Sequence, residues 1–247
     1  MAQKRLDYKG QNFFISYEVR ESTNLSAPML VILHGWGANK ALMKQAFGTL
    51  FRDFKHCYID MPGFGNSPTP PFALNTYDYA EILKIFLKQL LIKPCECVIL
   101  GHSFGGKVAT LLEPKELILL SSAGIKVPKS LKVRVKIAIA KSLNRLAPRI
   151  NAVFKHLLRS KDVENMNEIM YQTFKNVVDE DFSNIFANFR NPCYIFWGER
   201  DLATPLKSGK QIHALMPNSK FFVLESDHFF FLKGAKEIEK LYLKVKD

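Results

Sequence analysis

The sequence predicts an α/β fold, in which a mostly parallel β-sheet carries helices on both faces. Short apolar segments alternate along the chain with longer segments whose apolar residues recur at helical spacing, and this alternation is typical of βα units. Some short segments, such as 29–33 and 116–120, are apolar almost throughout, as is typical of strands buried on both faces. A Gly-x-Ser-x-Gly turn at residues 101–105 joins one apolar segment to a helix-like one, which is a third sign of such a fold.

The length and composition of the chain indicate one domain with an insertion. The chain has 247 residues, and 47% of them are hydrophobic, which is enough for a sizeable core. No apolar run reaches the roughly 20 residues of a membrane helix. Asp7, Lys9 and Asn12 interrupt the basic N-terminal segment, so we expect no signal peptide. The four cysteines form neither a disulfide framework nor a metal-site pattern, which favours reduced thiols in a cytoplasmic protein.

The predicted elements before residue 125 surround the Gly-x-Ser-x-Gly turn. Within one of them, Tyr79, Ile82, Leu83 and Phe86 recur at helical spacing, with lysines on the opposite face. Strands are predicted over residues 12–19, 29–33, 55–60, 97–100 and 116–120. Helices are predicted over residues 39–51, 76–92 and 107–112.

A change of pattern at residue 125 predicts a helical insertion between two strands. The insertion is amphipathic and helix-like to about residue 190, and the alternation of strand and helix then resumes. The later elements are strands over 193–197 and 220–224 and helices over 204–216 and 234–244. We therefore expect a core of residues 1–124 and 190–247 and a helical cap of residues 125–189.

The turn at 101–105 provides a candidate nucleophile. Its glycines allow a tight backbone that lifts the hydroxyl of Ser103 clear of the sheet, and the helix that follows directs its N-terminus at the same point. A serine nucleophile needs a general base, and the base needs a carboxylate that orients it. The loops after two later strands contain Asp201 and His228, and such loops meet at the carboxyl edge of a parallel sheet.

Glu199 and Asp227 are alternatives to Asp201 as the orienting carboxylate. Asp227 adjoins His228 in the chain, and adjacent side chains usually diverge, so we favour Asp201. The remaining histidines lie within motifs or within predicted strands and helices, where a structural role is more common. They are His34, His56, His102, His156 and His213.

Four motifs, in this order and spacing, resemble those of the α/β-hydrolase superfamily. They are His-Gly-Trp-Gly at 34–37, Asp-Met-Pro-Gly-Phe-Gly-Asn-Ser at 60–67, Gly-His-Ser-Phe-Gly-Gly at 101–106 and Trp-Gly-Glu-Arg-Asp at 197–201. The resemblance covers about residues 28–124 and 190–240, and it is strongest to cap-bearing carboxylesterases and meta-cleavage-product hydrolases. It implies an α/β-hydrolase fold with a helical cap inserted after the sixth strand, and a catalytic triad of Ser103, Asp201 and His228.

The resemblance also implies an oxyanion hole made by two backbone N–H groups, those of Trp36 and Phe104. Because backbone donors tolerate any side chain, both aromatic rings are free to bind the substrate. The Trp36 ring has core packing as its alternative role. We expect no cofactor and no metal ion, since neither a phosphate-binding loop nor a cluster of metal ligands is visible in the sequence.

We therefore hypothesise that the protein is a serine carboxylesterase. It would cleave small-molecule esters of small to medium acyl chains through an acyl-enzyme intermediate. One alternative is a carbon–carbon bond hydrolase of 2-hydroxy-6-oxo-dienoate type, and Phe104 beside the serine departs from that group of enzymes. Another is a methyl-ester esterase that acts on an acyl chain bound to a carrier protein. A non-catalytic binding module is disfavoured, because such a protein need not keep all three triad groups.

The net charge of the chain is +12, and basic residues cluster in the first part of the predicted cap. Eleven basic residues and no acidic one lie between Lys126 and Lys161. These residues form either a solvated helix face or a docking surface for an acidic partner, such as acyl carrier protein or anionic lipid. We expect no nucleic-acid partner, because the chain contains no zinc finger, no RNP-type motif and no basic-aromatic interleaving.

Overall fold

The computed structural model describes residues 2–126 and 166–246. In these residues eight strands form one sheet, in the order β1-β2-β4-β3-β5-β6-β7-β8. The strands are β1 Ala2–Tyr8, β2 Gln11–Arg20, β3 Met29–Leu33, β4 Lys55–Ile59, β5 Val98–His102, β6 Glu116–Leu120, β7 Cys193–Gly198 and β8 Ser219–Leu224. Strand β2 is antiparallel to both β1 and β4, and all other pairs are parallel. The mostly parallel α/β sheet predicted from the sequence is confirmed.

Helices cover both faces of the sheet, because successive residues of a strand point to opposite sides. Leu30 and Ile32 of β3 belong to one apolar cluster, whereas Val31 and Leu33 belong to the other. The helices are α1 Lys40–Phe47, α2 Thr76–Gln89, α3 Phe104–Leu111, α4 Glu168–Val178, α5 Ser183–Asn188, α6 Leu206–Leu215 and α7 Phe231–Lys246. A single 3₁₀ turn over Pro94–Glu96 precedes β5 in the described chain.

Strand β1 is absent from the sequence-based prediction. It pairs only with β2 at the edge of the sheet, and Leu6 is its one buried residue, so its pattern is mostly polar. With β1 counted, Glu116–Leu120 is the sixth strand, and the chain leaves the core after it.

The described part of the predicted cap consists of α4, α5 and the residues beside them. Both elements are helical, as the sequence predicts, and residues 127–165 lie outside the described chain. The residue before α5 bonds to the last core residue before the predicted cap, since the Phe182 amide donates to the Gly124 carbonyl at 2.8 Å. Gly124 has a φ of +121°, and a Cβ there would lie 2.9 Å from Phe186, so this position requires glycine. The division into core and cap stays a prediction.

None of the described helices combines the length and the apolar character that a span of a membrane requires.

Candidate active site

Ser103 lies in the tight turn between β5 and α3. Its φ is +50° and its ψ is −114°, a conformation that costs energy for any residue with a side chain. Close backbone packing holds it there: a Cβ on Gly101 would lie 2.4 Å from the Gly105 carbonyl, and one on Gly105 would lie 2.5 Å from the His34 carbonyl. The serine side chain is therefore presented at the N-terminus of α3, where it is partly exposed.

Asp201 and His228 meet above the carboxyl ends of β7 and β8. His228 Nδ1 lies 2.7 Å from Asp201 Oδ2. The amides of Ala203 and Thr204 donate to Asp201 Oδ1 at 2.9 and 2.8 Å. Burial alone would raise the pKa of Asp201, but the hydrogen bonds from His228 and from the Thr204 amide lower the pKa to about 2. The carboxylate is therefore ionised at neutral pH and can fix the tautomer and orientation of the imidazole.

The competing carboxylates do not contact His228. Glu199 and Asp227 are both exposed, and Asp227 Oδ1 instead accepts the Phe229 amide at 2.9 Å. Of the remaining histidines, His34 is buried, and burial lowers its pKa to about 4. Its Nδ1 donates to the Gly35 carbonyl and its Nε2 accepts the Met61 amide, so it joins two loops of the core. His156 lies outside the described residues.

Ser103 and His228 line the same cavity, whose volume is about 1020 Å³. Within the described residues no hydrogen bond joins the serine hydroxyl to the imidazole. A hydroxyl rotates freely, and the contact between a nucleophile and its base often closes only when substrate binds. The arrangement can thus deliver a hydroxyl, a base and an oriented carboxylate to one substrate.

Two backbone amides face the same region without an acceptor. In the described chain neither the Trp36 amide nor the Phe104 amide donates a hydrogen bond. Phe104 is the first residue of α3, where the helix dipole adds to the attraction for negative charge. The Trp36 ring lines the cavity and packs on Phe104 and Phe174, with ring centroids 5.5 and 5.4 Å apart.

Thr204 and His102 are site residues whose roles the sequence analysis did not recognise. Thr204 Oγ1 lies 2.9 Å from Asp201 Oδ2 and 3.3 Å from His228 Nδ1. The spacing Asp-x-x-Thr is typical of a turn in which the carboxylate accepts a backbone amide three residues later, so it could have predicted that Thr204 lies beside Asp201. His102 Nε2 donates to the His228 carbonyl at 3.1 Å, and burial, followed by the nearby His228, lowers the pKa of His102 to about 3. His102 is therefore neutral, and its hydrogen bond holds the backbone of the loop that contains His228.

The cavity wall is mostly apolar, with a few charged groups. The apolar part includes Trp36, Phe104, Met166, Phe174, Val177 and Phe229, and the charged groups are Lys107, Lys126, Asp179 and Glu180. Across the described ranges, no three His, Cys, Asp or Glu side chains converge in a way that would hold a metal ion.

Known proteins with similar sequences and folds agree with this architecture. A 105-residue region is 36% identical to the pimeloyl-[acyl-carrier protein] methyl ester esterase of Pseudoalteromonas atlantica, and covers 40% of this chain and 38% of that protein. The match thus spans little more than a third of that relative.

Two solved structures share the fold over almost the whole chain. An esterase from Thermogutta terrifontis has a TM-score of 0.70 at 16% identity, covering 99% of this chain and 97% of that one. A meta-cleavage product hydrolase from Pseudomonas fluorescens IP01 has a TM-score of 0.70 at 15% identity, covering 98% and 96%. At these identities the likeness shows the fold alone.

The sequence profile of the alpha/beta hydrolase family matches residues 30–240, which is most of the chain. The chain therefore belongs to the alpha/beta hydrolase family.

Proposed function

We propose that this protein is a serine carboxylesterase that cleaves small to medium acyl esters. The observation that carries the proposal is the 2.7 Å contact between Asp201 and His228, on the wall of the cavity that also contains Ser103. In this proposal Ser103 is the nucleophile, His228 the general base and Asp201 the group that orients the base. The esterase named among the relatives supports the reaction type.

The reaction runs through an acyl-enzyme. Ser103 Oγ attacks the ester carbonyl while His228 takes the hydroxyl proton, and the amides of Trp36 and Phe104 donate to the oxygen that becomes negative. The tetrahedral intermediate collapses, His228 returns the proton to the departing alcohol, and the acyl group stays on Ser103. A water molecule, activated by the same imidazole, then attacks the acyl-enzyme and releases the carboxylic acid.

The test is hydrolysis of a chain-length series of aryl esters by the wild type and by Ser103→Ala. We expect the wild type to turn over short and medium esters, and the variant to lose at least about 10³-fold in kcat, since it loses the nucleophile. Ser22→Ala is the matched control, because Ser22 is a half-buried serine outside the cavity whose hydroxyl bonds to the Arg52 carbonyl and the Asn24 amide. Wild type and Ser103→Ala with equal rates would overturn the proposal.

A second candidate is methyl-ester cleavage on an acyl chain carried by an acidic carrier protein. The 36% identical relative bears that activity in its name, and Lys126, the first residue of the basic segment, lines the cavity. The carbon–carbon hydrolase remains the other enzymatic alternative, and a dioxo-dienoate added to the substrate series tests it. All four cysteines are free thiols, which supports a cytoplasmic location.

A further inference from the structure

Three helices of the described chain converge on one buried ion pair beside the cavity. Lys107 lies on α3 four residues after Ser103, so it projects from the same face of the helix one turn further on. Its Nζ donates to Glu180 Oε2 at 2.8 Å and to the Val177 carbonyl at 2.6 Å. The Lys107 side chain is 3% exposed and that of Glu180 is 18% exposed, so solvent screens the pair little.

Each charge also faces the helix end that favours it. Val177 lies in the last turn of α4, where a cation stabilises the free carbonyl groups. The Glu180 carboxylate accepts the Thr76 hydroxyl, and its Oε1 lies 3.4 Å from the Thr76 amide at the start of α2. The pair therefore ties the end of α4 to the starts of α2 and α3.

Protein groups surround the ammonium group of Lys107. Besides its two hydrogen bonds, Nζ lies 5.5 Å from the centre of the Phe104 ring and 5.1 Å from that of Phe182. Burial lowers the pKa of Lys107, and the hydrogen bond to Glu180 opposes that change. Two of the three N–H groups of this ammonium therefore hold protein segments together.

The segments that it holds form part of the cavity wall. Val177 and Val178 line the cavity at the end of α4, and Phe174, one turn earlier, packs on the Trp36 ring. Phe182, two residues after Glu180, donates its amide to the carbonyl of Gly124, the last residue before the predicted cap. The position of this wall relative to Ser103 thus depends on the ion pair.

We propose that Lys107 and Glu180 are positioning residues that set which acyl chains fit the cavity, by latching α4 onto the helix that follows the nucleophile. This inference rests on the esterase function proposed above. It assigns the two residues no part in the chemical steps, because neither contacts Ser103, Asp201 or His228 in the described structure.

The test compares Lys107→Met and Glu180→Gln with the wild type on the aryl-ester series. We expect KM for the best-accepted chain length to rise by about tenfold and the chain-length profile to broaden, with a smaller change in kcat, since binding is lost more than transition-state contacts. Lys84→Met is the matched control: Lys84 and Glu81 also lie 2.8 Å apart, but their side chains are 45% and 52% exposed on α2. Its kinetics should equal those of the wild type.

Tryptophan emission provides a readout that needs no activity. Trp36 packs on Phe174, whereas Trp197 is fully buried, so loosening of α4 should shift the emission of Trp36 to longer wavelength in both latch variants and not in Lys84→Met. Glu180→Gln keeps the size of the side chain and removes its charge, so it serves if Lys107→Met does not fold. An unshifted spectrum, or an equal loss of kcat on every chain length, would overturn the latch. A wild type that cleaves no ester would overturn the proposed function instead, and the emission would still report on the latch.

Discussion

At the scale of single residues, Asp201 is the carboxylate that contacts His228, and its surroundings keep it charged. Its two oxygens accept hydrogen bonds from the amides of Ala203 and Thr204 and from the His228 imidazole, and only 4% of the residue is exposed. These bonds favour the charged form more than burial disfavours it, so the pKa falls from the ordinary 3.8 to about 2. A depressed folded-state pKa contributes stability that is complete above the unfolded pKa and is lost as the pH falls toward 2.

Asp201→Asn should therefore affect both activity and the pH dependence of stability. We expect kcat to fall by about 10⁴-fold, because an amide disfavours the tautomer that presents a free Nε2 to the serine. The Tm difference from wild type should be largest near pH 7 and should shrink as the pH falls from about 4 toward 2. Thermal melts at several pH values measure it, with the exposed Asp53→Asn as the control. A Tm difference that stays constant down to pH 3 would contradict this account.

At the scale of elements, the loop after β3 packs directly against the turn between β5 and α3. Gly35 has no side chain at the closest point: a Cβ there would lie 2.7 Å from His102 Nδ1 and 3.2 Å from Ser103 Cβ. This close approach brings the Trp36 amide, in the loop after β3, beside the N-terminus of α3, the helix that follows β5. The spacing between two loops, rather than either loop alone, therefore sets the candidate oxyanion site.

Gly35→Ala should separate these two loops and lower kcat/KM on short aryl esters by about 10²-fold, since small misplacements of reacting groups are costly. Gly10→Ala is the control, because Gly10 lies in the β1–β2 hairpin at φ +70° with open space around it. The control should lose about 1 kcal/mol of stability through backbone strain and keep its kinetics. Urea unfolding and initial rates on both variants distinguish the effects. Unchanged kinetics in Gly35→Ala would show that the loop spacing tolerates displacement.

At the scale of the whole molecule, the sheet gathers residues that are far apart in the chain. Strands β5, β7 and β8 are parallel, so Ser103, Asp201 and His228 all follow carboxyl ends at the same edge. The predicted insertion begins after the carboxyl end of β6, next to the cavity, and the chain returns at the amino end of β7. The basic segment from Lys126 onward therefore begins beside the candidate site.

Ionic strength should distinguish a carrier-protein substrate from a free ester. If the basic segment steers an acidic carrier protein, kcat/KM for a carrier-bound methyl ester should fall several-fold between about 0.01 and 0.15 M salt, as the Debye length shortens from about 30 to 8 Å. The rate with an uncharged aryl ester should stay nearly constant over the same range. Equal salt dependence of the two substrates would argue against a docking role for the net charge of +12.

Local patterns in the sequence predicted the α/β fold and the candidates Ser103, Asp201 and His228, whereas Trp36 and Phe104 were implied by the family resemblance. Apolar runs indicate buried strands, and apolar residues that recur every 3.6 residues indicate helices. In a parallel sheet the loops after different strands then lie at the same edge. Strand β1 escaped prediction because an edge strand with one buried residue has no apolar pattern. The order Ser103, Asp201, His228 follows from the chain alone.

The sequence favoured Asp201 over Glu199 and Asp227, but only the tertiary structure shows the 2.7 Å contact between Asp201 and His228. The tertiary structure also decided the pairing of Lys107 with Glu180, which lie 73 residues apart. Hydrophobic periodicity indicates which side of a segment is buried, and motifs indicate its local backbone conformation. Both properties depend on residues that are close in the chain. Contacts between distant side chains depend on how helices and loops pack against one another, and that geometry exists only once the chain has folded.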